Sequence, residues 1–465
     1  MRRSLPPLPL RIAARPLRIS ALPLRIAALP PVLTVVAVPA LLALPTSAAG
    51  GDGPGPADAV SGLVVLYCVV RLVRDRRRPL SRTAAVVLGL PVVGVTLAAL
   101  GALSPADGIT GLGRYLQIFV LVPAAVLLLV RGRRDFLLLA WSLVGLALCQ
   151  GAVGVHQYVT GTGASYQGEN IRAVGTFGPQ DVMGMATVVA VGLVCAVGLA
   201  LGQTSPRQRI GAVACALALL PPLALSFSRG AWIAAAVACA LQLVLAGLRR
   251  ALRIGAAVAA ACVVLVGGLG VGSELLQERI DSITQVTDAP DRSVADRYAL
   301  WSAATAMWRD RPLTGVGLKG FPEYRDGYAS PELSSGSDTE GAGSAYLRQP
   351  LLSPHSMYLL VLSEQGLIGL LGLAGSWLAL LVGGLRRLRR ACTSTPYGTE
   401  CGLVACGLMV RQLIDFVYGD IGGPSTVLTS VCFGLVAWWA LAGTEEAEAR
   451  TPAATPGRVK EAVGR

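Results

Sequence analysis

The sequence predicts an all-α, polytopic integral membrane protein with about twelve transmembrane helices. Of its 465 residues, 53% are hydrophobic and only 14% are charged. Apolar runs of about 18–25 residues recur from end to end, and each can cross a bilayer as a helix. The runs are continuously apolar rather than alternating, which favours helices over a barrel. They lie at 31–48, 58–73, 83–103, 109–130, 136–158, 181–201, 210–228, 231–248, 251–272, 356–384, 400–418 and 424–442.

Five segments follow from this pattern. They are a basic Pro/Arg repeat tail at 1–30, helices one to nine at 31–272, a long extracytoplasmic loop with an amphipathic helix at 273–354, helices ten to twelve at 355–443, and a disordered tail at 444–465. The first apolar segment, LTVVAVPALLALPTSAAG, also reads as the core of a cleavable signal peptide. Cleavage would remove one span and leave the orientation of the rest unchanged.

The net charge of +13 is an orientation signal. Arginines cluster in alternate loops, as in RLVRDRRRPLSR (71–82), RGRR (131–134) and RRLRR (386–390), whereas the loops between them are almost free of arginine. The positive-inside rule therefore predicts a multi-pass protein of the cytoplasmic (inner) membrane, with both termini in the cytoplasm and with membrane lipids as neighbours. Because the basic residues are distributed in this way, no nucleic-acid partner is predicted.

The chain shows no pattern typical of a metal site. Most of its ten cysteines fall inside predicted spans, and none lies in the long outer loop. No Asp-x-Asp motif or His/Cys cluster occurs. We therefore predict no disulfide framework, no metal and no cofactor.

Three arginines are candidate ligands for an anionic group. Arg229, in SFSRGAW, stands between two apolar helices, where an uncompensated charge is costly. Arg172 precedes the turn VGTFGPQD, and Arg297 lies at the edge of the apolar stripe of the amphipathic helix SVADRYALWSAATAMWRD. Each can bind a phosphate of a substrate or simply reach a lipid headgroup.

His355 is the candidate general base, and it is one of only two histidines. With Ser353 as N-cap and Pro354 as the first helical residue, His355 is predicted in the first turn of the tenth span. The positive end of the helix dipole would favour an anion nearby and keep the imidazole neutral. The alternative is an interface anchor, which is the interpretation we favour for His156.

A Gly-rich segment, GVGLKG (315–320), matches the letters of a dinucleotide-binding motif. It follows a proline rather than a strand and belongs to no βαβ unit, so the pattern does not indicate a nucleotide site. We expect its glycines to turn the backbone toward the membrane.

Two further sets of charges are interpreted as structural. Glu364 lies nine residues after His355, on the opposite face of a straight helix, so a catalytic pair would require Gly366 to break that helix. Arg411 and Asp415 are spaced i, i+4 and can neutralise each other within a span.

Several of these motifs together resemble the bacterial O-antigen ligase and O-antigen polymerase superfamily of membrane glycan transferases. They are RAVGTFGPQD, SFSRGAW, DRYALWSAATAMWRDRPLTGVGLKGF and PHSMYLLVLSEQGLIGL, in that order and spacing. The resemblance implies about twelve helices and a catalytic histidine at His355, with substrate-binding arginines at Arg172, Arg229 and Arg297. Ser356 stands where the family usually has Asn.

The resemblance also implies a reaction: transfer of a glycan from a polyprenyl-diphosphate-linked donor to a hydroxyl of a glycan or lipid acceptor outside the cytoplasmic membrane. Because the diphosphate is already a leaving group, arginines and one base suffice, and we expect metal-independent transfer with inversion. Ligase and polymerase differ only in the acceptor and remain open. A transporter or flippase for lipid-linked sugars is the alternative, and a non-catalytic assembly partner is a third.

Overall fold

The protein consists mainly of long helices packed side by side. A computed structural model describes residues 30–45, 55–75, 80–166, 173–181, 183–202, 205–263, 292–330, 333, 337–341, 347–349, 351–394, 398–423 and 425–450. The α-helices are α1 Val32–Leu42, α2 Pro56–Asp75, α3 Arg82–Leu100, α4 Pro105–Leu116, α5 Val122–Leu129, α6 Arg133–Thr160, α7 Gly184–Leu201, α8 Pro206–Ala218, α9 Leu220–Leu225, α10 Arg229–Ala246, α11 Leu248–Val263, α12 Arg292–Asp310, α13 Phe321–Tyr328, α14 Met357–Ser394, α15 Thr399–Tyr418 and α16 Thr426–Arg450. A π-helical turn, Gln117–Leu121, joins α4 to α5, and a 3₁₀ helix, Gly175–Asp181, precedes α7.

Nine helical stretches in the described part of the chain are long and apolar enough to cross a membrane. Two more apolar helices, Val32–Leu42 and Thr426–Ala442, are shorter. Within the predicted run at 251–272, the structure describes helix only as far as Val263. A membrane protein built from helices is therefore observed, whereas the predicted number of twelve spans is not confirmed. The last helix continues to Arg450, past the expected start of the tail at 444.

Serine residues begin several of these helices. The hydroxyl oxygens of Ser81, Ser104, Ser205 and Ser228 each accept a hydrogen bond from the backbone N–H three residues later. These bonds satisfy donors that the first helical turn cannot satisfy itself.

An aromatic cluster fills the core between α4–α5, α14, α15 and α16. It consists of Phe119, Trp377, Phe416 and Phe433. Trp377 stacks on Phe433 with ring centroids 5.8 Å apart, and the ring of Tyr358 meets Trp377 edge-on at 6.0 Å. Such contacts add to the free energy gained by burying the rings. The cluster packs α14 against α15, and it reaches the first turn of α14 through Tyr358.

The fold is not purely helical. Three short strands, β1 Ala164–Tyr166, β2 Ser337–Gly341 and β3 Leu347–Gln349, form an antiparallel sheet in the order β1-β2-β3. Ala164 pairs with Gly341, and Ser337 pairs with Gln349. The all-α class predicted from the sequence still describes the helical part of the protein. In addition, the segment after α6 and the long loop before α14 share this small sheet, because paired edges satisfy backbone groups that single extended segments would leave open.

The ion pair predicted inside the eleventh apolar run is confirmed. Arg411 Nη2 lies 3.0 Å from Asp415 Oδ2, and the Arg411 side chain is only 1% exposed. Arg411 Nη1 also donates to Gln412 Oε1 at 2.9 Å. A buried guanidinium needs such partners, so this pair is structural.

Helix α12 forms where the amphipathic helix was predicted, but a different face is buried. The predicted stripe contains Tyr298 and Trp301, of which Tyr298 is 63% exposed. The buried side chains are instead Asp296, Leu300, Ala303, Ala304 and Met307. The small alanines allow α12 to approach α14 closely, whereas Tyr298 remains on the outside and Trp301 and Trp308 are half-buried.

Candidate active site

His355 lies immediately before α14 rather than within it. The helix begins at Met357, and the carbonyl of Ser356 accepts the first helical hydrogen bond, from Leu360 N at 2.9 Å. His355 has a φ of +50°, a left-handed conformation that is uncommon for residues other than glycine. The predicted N-cap at Ser353 is therefore wrong, because positive φ at His355 is incompatible with a right-handed helix.

Hydrogen bonds from other elements hold the backbone around His355. Trp301 Nε1, on α12, donates to the carbonyl of Pro354 at 2.9 Å. Met357 N donates to the carbonyl of Gly419, just after α15, at the same distance. These bonds occupy groups that would otherwise extend the helix backward through His355, so the strained conformation is imposed by its surroundings. Strain of this kind is concentrated at functional sites.

The imidazole of His355 lies in a mixed electrostatic environment. Burial is the largest cause that lowers the pKa of His355 below its usual value of 6.5, and the positive charge of Arg297 acts in the same direction. The Asp420 carboxylate opposes both. The neutral state predicted from the sequence is thus supported, but burial rather than the helix terminus is its main cause.

Asp420 is the carboxylate whose charge acts on His355. It follows the end of α15 in the turn that also supplies the Gly419 carbonyl. Its Oδ2 atom is buried and accepts no hydrogen bond from the described part of the protein. A carboxylate beside an imidazole can orient the ring and stabilise its protonated form once it has accepted a proton.

Helix α14 is broken at Gly366, nine residues beyond Met357. Gly366 has φ +64° and ψ −162°, which interrupts the helical path between two helical halves. A Cβ atom at this position would collide with the backbone of Leu313 and Thr314. Only glycine fits such a position. The break at Gly366 that was considered from the sequence is therefore present.

The Gly-rich segment of the long loop fills this break. Val316 N and Gly317 N donate to the carbonyls of Ser363 and Glu364, at 2.9 and 3.0 Å. From the other side, Leu367 N and Ile368 N donate to the carbonyls of Pro312 and Leu313, at 2.9 and 3.2 Å. The loop thus replaces hydrogen bonds lost at the break, as membrane-embedded backbone requires. The GVGLKG segment thus turns back onto a helix that is long and apolar enough to cross a membrane.

Glu364, in the first half of α14, is a buried carboxyl group in contact with the Gly-rich turn. Its side chain is 4% exposed, and Oε1 accepts a hydrogen bond from Phe321 N at 3.3 Å. The charges of Lys319 and Asp420 both act on its carboxyl group, and Glu364 and Asp420 both act on the hydroxyl of Tyr115. Glu364 therefore links the Gly-rich turn to the carboxylate that acts on His355, a role beyond the helix packing predicted for it.

Of the three predicted arginines, Arg297 is placed within electrostatic range of His355. Arg229 is exposed and begins α10, after Phe227, which has a φ of +50°. A Cβ atom at its neighbour Gly230 would lie 3.4 Å from Tyr418, at the end of α15. The start of α10 is therefore packed next to the turn that carries Asp420.

Arg172 lies outside the described residues, but its neighbour Ala173 is described. Ala173 N donates to the carbonyl of Leu225 at 3.3 Å, next to the segment that leads to Arg229. On the same loop, Asp181 Oδ2 accepts from Ser425 N at 3.1 Å, and burial raises the pKa of Asp181. The loop that begins at 173 thus contacts both the α9–α10 junction and the turn after α15.

Most of the candidate site residues lie between α8 and α14. This segment also matches a known protein family. Residues 210–374 match the family model described as O-antigen ligase. These residues are similar to an O-antigen ligase domain. The match supports the superfamily predicted from the sequence motifs, and together with the helices that are long and apolar enough to cross a membrane it supports a family of membrane glycan ligases and polymerases. No curated protein matches the chain.

The O-antigen ligase domain contains Arg229, Arg297, His355 and the helix break, but not Arg172 or Asp420. The match covers less than half of the chain. The site is therefore completed by elements on both sides of the domain: the loop before α7 and the turn after α15.

Sequence reasoning missed Asp420 and the role of Glu364. Asp420 is in VYGDIGGP, between the last two predicted runs, a segment that none of the sequence predictions used. A lone carboxylate at the end of an apolar run is costly unless it has a partner, and this signal could have singled it out. In the described part of the chain, no group of three or more His, Cys, Asp or Glu residues is arranged to hold a metal ion.

Proposed function

We propose that this protein transfers a polyprenyl-diphosphate-linked glycan to a hydroxyl group of a glycan or lipid acceptor. The reaction takes place on the outer side of the cytoplasmic membrane, without metal or cofactor. The observation that carries the proposal is the environment of His355. The opposite charges of Asp420 and Arg297 both act on it, and its strained backbone directly precedes a helix of the segment that matches the O-antigen ligase family.

His355 acts as the general base. The acceptor oxygen attacks the anomeric carbon of the donor sugar, and its proton passes to the imidazole. The bond between that carbon and the diphosphate oxygen breaks, and the electron pair leaves with the lipid diphosphate. Attack from the face opposite the leaving group inverts the configuration. Asp420 stabilises the imidazolium that forms, and this stabilisation is greatest in the transition state, when the proton is in transfer.

Arg172, Arg229 and Arg297 bind the diphosphate and neutralise the charge that develops on it. Guanidinium groups suit this role because they hold two phosphate oxygens at once. The contact between the Ala173 segment and the α9–α10 junction supports a shared role for Arg172 and Arg229. Since positioning and charge neutralisation supply most of the rate enhancement in transfers from a good leaving group, no metal is required.

The competing function is transport or flipping of a lipid-linked sugar. A transporter must alternate between two open states, whereas α14 is fixed here by four backbone hydrogen bonds from the loop that fills its break. A rigid, strained histidine favours chemistry over transport.

The decisive experiment supplies the purified protein in lipid vesicles with a polyprenyl-diphosphate glycan and a panel of glycan and lipid acceptors. Products are identified by mass spectrometry. A joined product that requires His355 supports the proposal, and the acceptor that is used distinguishes polymerase from ligase. Movement of unmodified donor across the vesicle membrane with no joined product would instead establish the transporter.

A further inference from the structure

Lys319 is one of only two lysines in a chain whose basic residues are almost all arginine. Arginine provides 38 of the 40 basic residues, and the two lysines are Lys319 and Lys460. Lys460 belongs to the C-terminal tail. Lys319 is therefore the lone lysine of the segment matched by the O-antigen ligase family, and it lies in the Gly-rich turn that fills the helix break.

Lys319 also has a strained backbone. Its φ is +56°, in the left-handed region that glycine adopts freely and that a lysine side chain disfavours. In the described part of the protein, positive φ at a residue other than glycine occurs at Phe227, Lys319 and His355. Phe227 lies two residues before Arg229, and His355 is the candidate base. Lys319 therefore shares an uncommon conformation with two positions of the candidate active site.

The surrounding structure imposes this conformation. On one side, Leu318 is fully buried and its N–H donates to the carbonyl of Ala98 at 3.1 Å. On the other, Gly320 N donates to the carbonyl of Gly317 at 3.1 Å, and Phe321 N donates to Glu364. With both neighbours fixed, the Lys319 side chain is directed outward and is exposed. A glycine would meet the same constraints without strain, so packing does not explain why a lysine is present.

Lys319 lies in the turn next to Glu364. Gly317 N donates to the backbone carbonyl of Glu364 at 3.0 Å, and Phe321 N donates to its carboxylate at 3.3 Å. The charge of Lys319 acts on this carboxyl group, as does that of Asp420, which also acts on His355. Lys319 forms no ion pair within 4.0 Å with any described carboxylate. Its ammonium group is therefore available to a ligand.

We propose that Lys319 is a further substrate-binding residue whose ammonium group binds a phosphate of the substrate held at the His355 site. The inference rests on the proposed function. A lysine suits this role because its ammonium group is a compact charge on a flexible side chain, and it can follow a phosphate as the substrate moves. An arginine instead holds the phosphate in one bidentate geometry. The phosphate belongs to the lipid diphosphate of the donor or to a phosphorylated acceptor.

The test uses Lys319→Gly and Lys319→Arg in the full-length protein, reconstituted in nanodiscs of zwitterionic lipid. The glycine variant removes the charge and relieves the strain, so its Tm should equal or exceed that of the parent, while its Kd for polyprenyl diphosphate should rise at least tenfold. The arginine variant should keep Kd within about threefold, since the charge remains. Arg249→Gln, which removes an exposed charge in the first turn of α11, should change neither quantity.

The remaining outcomes are decisive as well. An unchanged Kd with a tenfold higher KM for a phosphorylated acceptor would assign the phosphate to the acceptor. Unchanged Kd and KM would overturn the proposal, as would a Lys319 effect that is seen only when anionic lipid is added, because the ligand would then be a headgroup. If the parent protein binds polyprenyl diphosphate through Lys319 but joins no glycan, the proposed function fails and the binding role stands. If the parent protein does not bind polyprenyl diphosphate, both fail.

Discussion

The indole nitrogen of Trp301 donates a hydrogen bond to the carbonyl of Pro354, at 2.9 Å, and thereby ties α12 to the residue before the candidate base. This one contact joins the long loop to the start of α14. It makes Trp301 a positioning residue for His355, although its ring does not touch the reacting atoms.

Trp301→Phe should therefore lower kcat while leaving donor binding intact. The substitution keeps the aromatic packing and removes the indole N–H, so His355 loses one of the bonds that hold its strained backbone. We expect kcat to fall by about tenfold, a typical cost of slight misplacement of a catalytic group. The measurement is the kcat and KM of purified enzyme. An effect on KM alone would show that Trp301 binds substrate instead.

His355→Asn should abolish most transfer. Asparagine tolerates positive φ, so the backbone conformation should survive, whereas the base is lost. The rate should fall roughly 10²–10⁴-fold, the usual contribution of a general base. Tm and polyprenyl diphosphate binding serve as the control and should be unchanged. Normal transfer by this variant would remove His355 from the mechanism.

The pH profile should report the state of His355. Transfer requires the neutral imidazole, so kcat should fall as the pH drops through the pKa of His355, which burial and Arg297 lower from 6.5. Asp420 raises that pKa, and Asp420→Asn should therefore shift the acid limb to lower pH. The test is kcat against pH at saturating donor for both proteins. A shift of the acid limb to higher pH in the variant contradicts the assignment.

Arg172→Ala and Arg229→Ala should each weaken donor use, with lysine at either position restoring it only in part. A point charge cannot hold two oxygens of a diphosphate as a guanidinium does. We expect kcat/KM for the donor to fall by more than tenfold in each alanine variant. If donor affinity and transfer both stay at the parent level, the two arginines are lipid anchors, which was the other interpretation of their sequence.

Gly366→Ala should destabilise the protein, because a Cβ atom would collide with the backbone of Leu313 and Thr314. Gly145→Ala, in the middle of α6, is the matched control: no atom lies within 4 Å of the added methyl group, and alanine favours the helix by up to about 1 kcal/mol. Thermal unfolding in detergent should show a lower Tm for the first variant and an equal or higher Tm for the second. Equal Tm values for Gly366→Ala and the parent would show that the loop does not occupy the break.

The sequence predicted the positions of the membrane helices well, because the length and apolarity of a run are local properties. Most predicted runs contain a helix whose ends lie within a few residues of the expected ones. The start of α14 was misplaced because local capping signals favoured Ser353, whereas the true start depends on bonds from Trp301 and Gly419, which are distant in sequence. A tertiary contact here overrides a local preference.

The same distinction applies to the site. His355 and Arg297 could be singled out because a charged or titratable group at the end of an apolar run is conspicuous by itself. Asp420 and Glu364 could not be singled out in this way, because their importance depends on tertiary contacts. The charges of Asp420 and Lys319 act on Glu364, and the turn that contains Lys319 binds to α14 at the break at Gly366. Nothing local in the sequence states which loop replaces the hydrogen bonds that are missing at Gly366.

The pairing of β1 with β2 couples two segments that are distant in the sequence. The strand that follows α6 and the strand from the long loop share backbone hydrogen bonds, so neither segment can leave its place without breaking the ladder. The two loops should therefore fluctuate as one cooperative unit, with amide hydrogens that exchange at a common rate. Under the proposed function, a substrate that displaces one of these two strands would therefore displace the other as well.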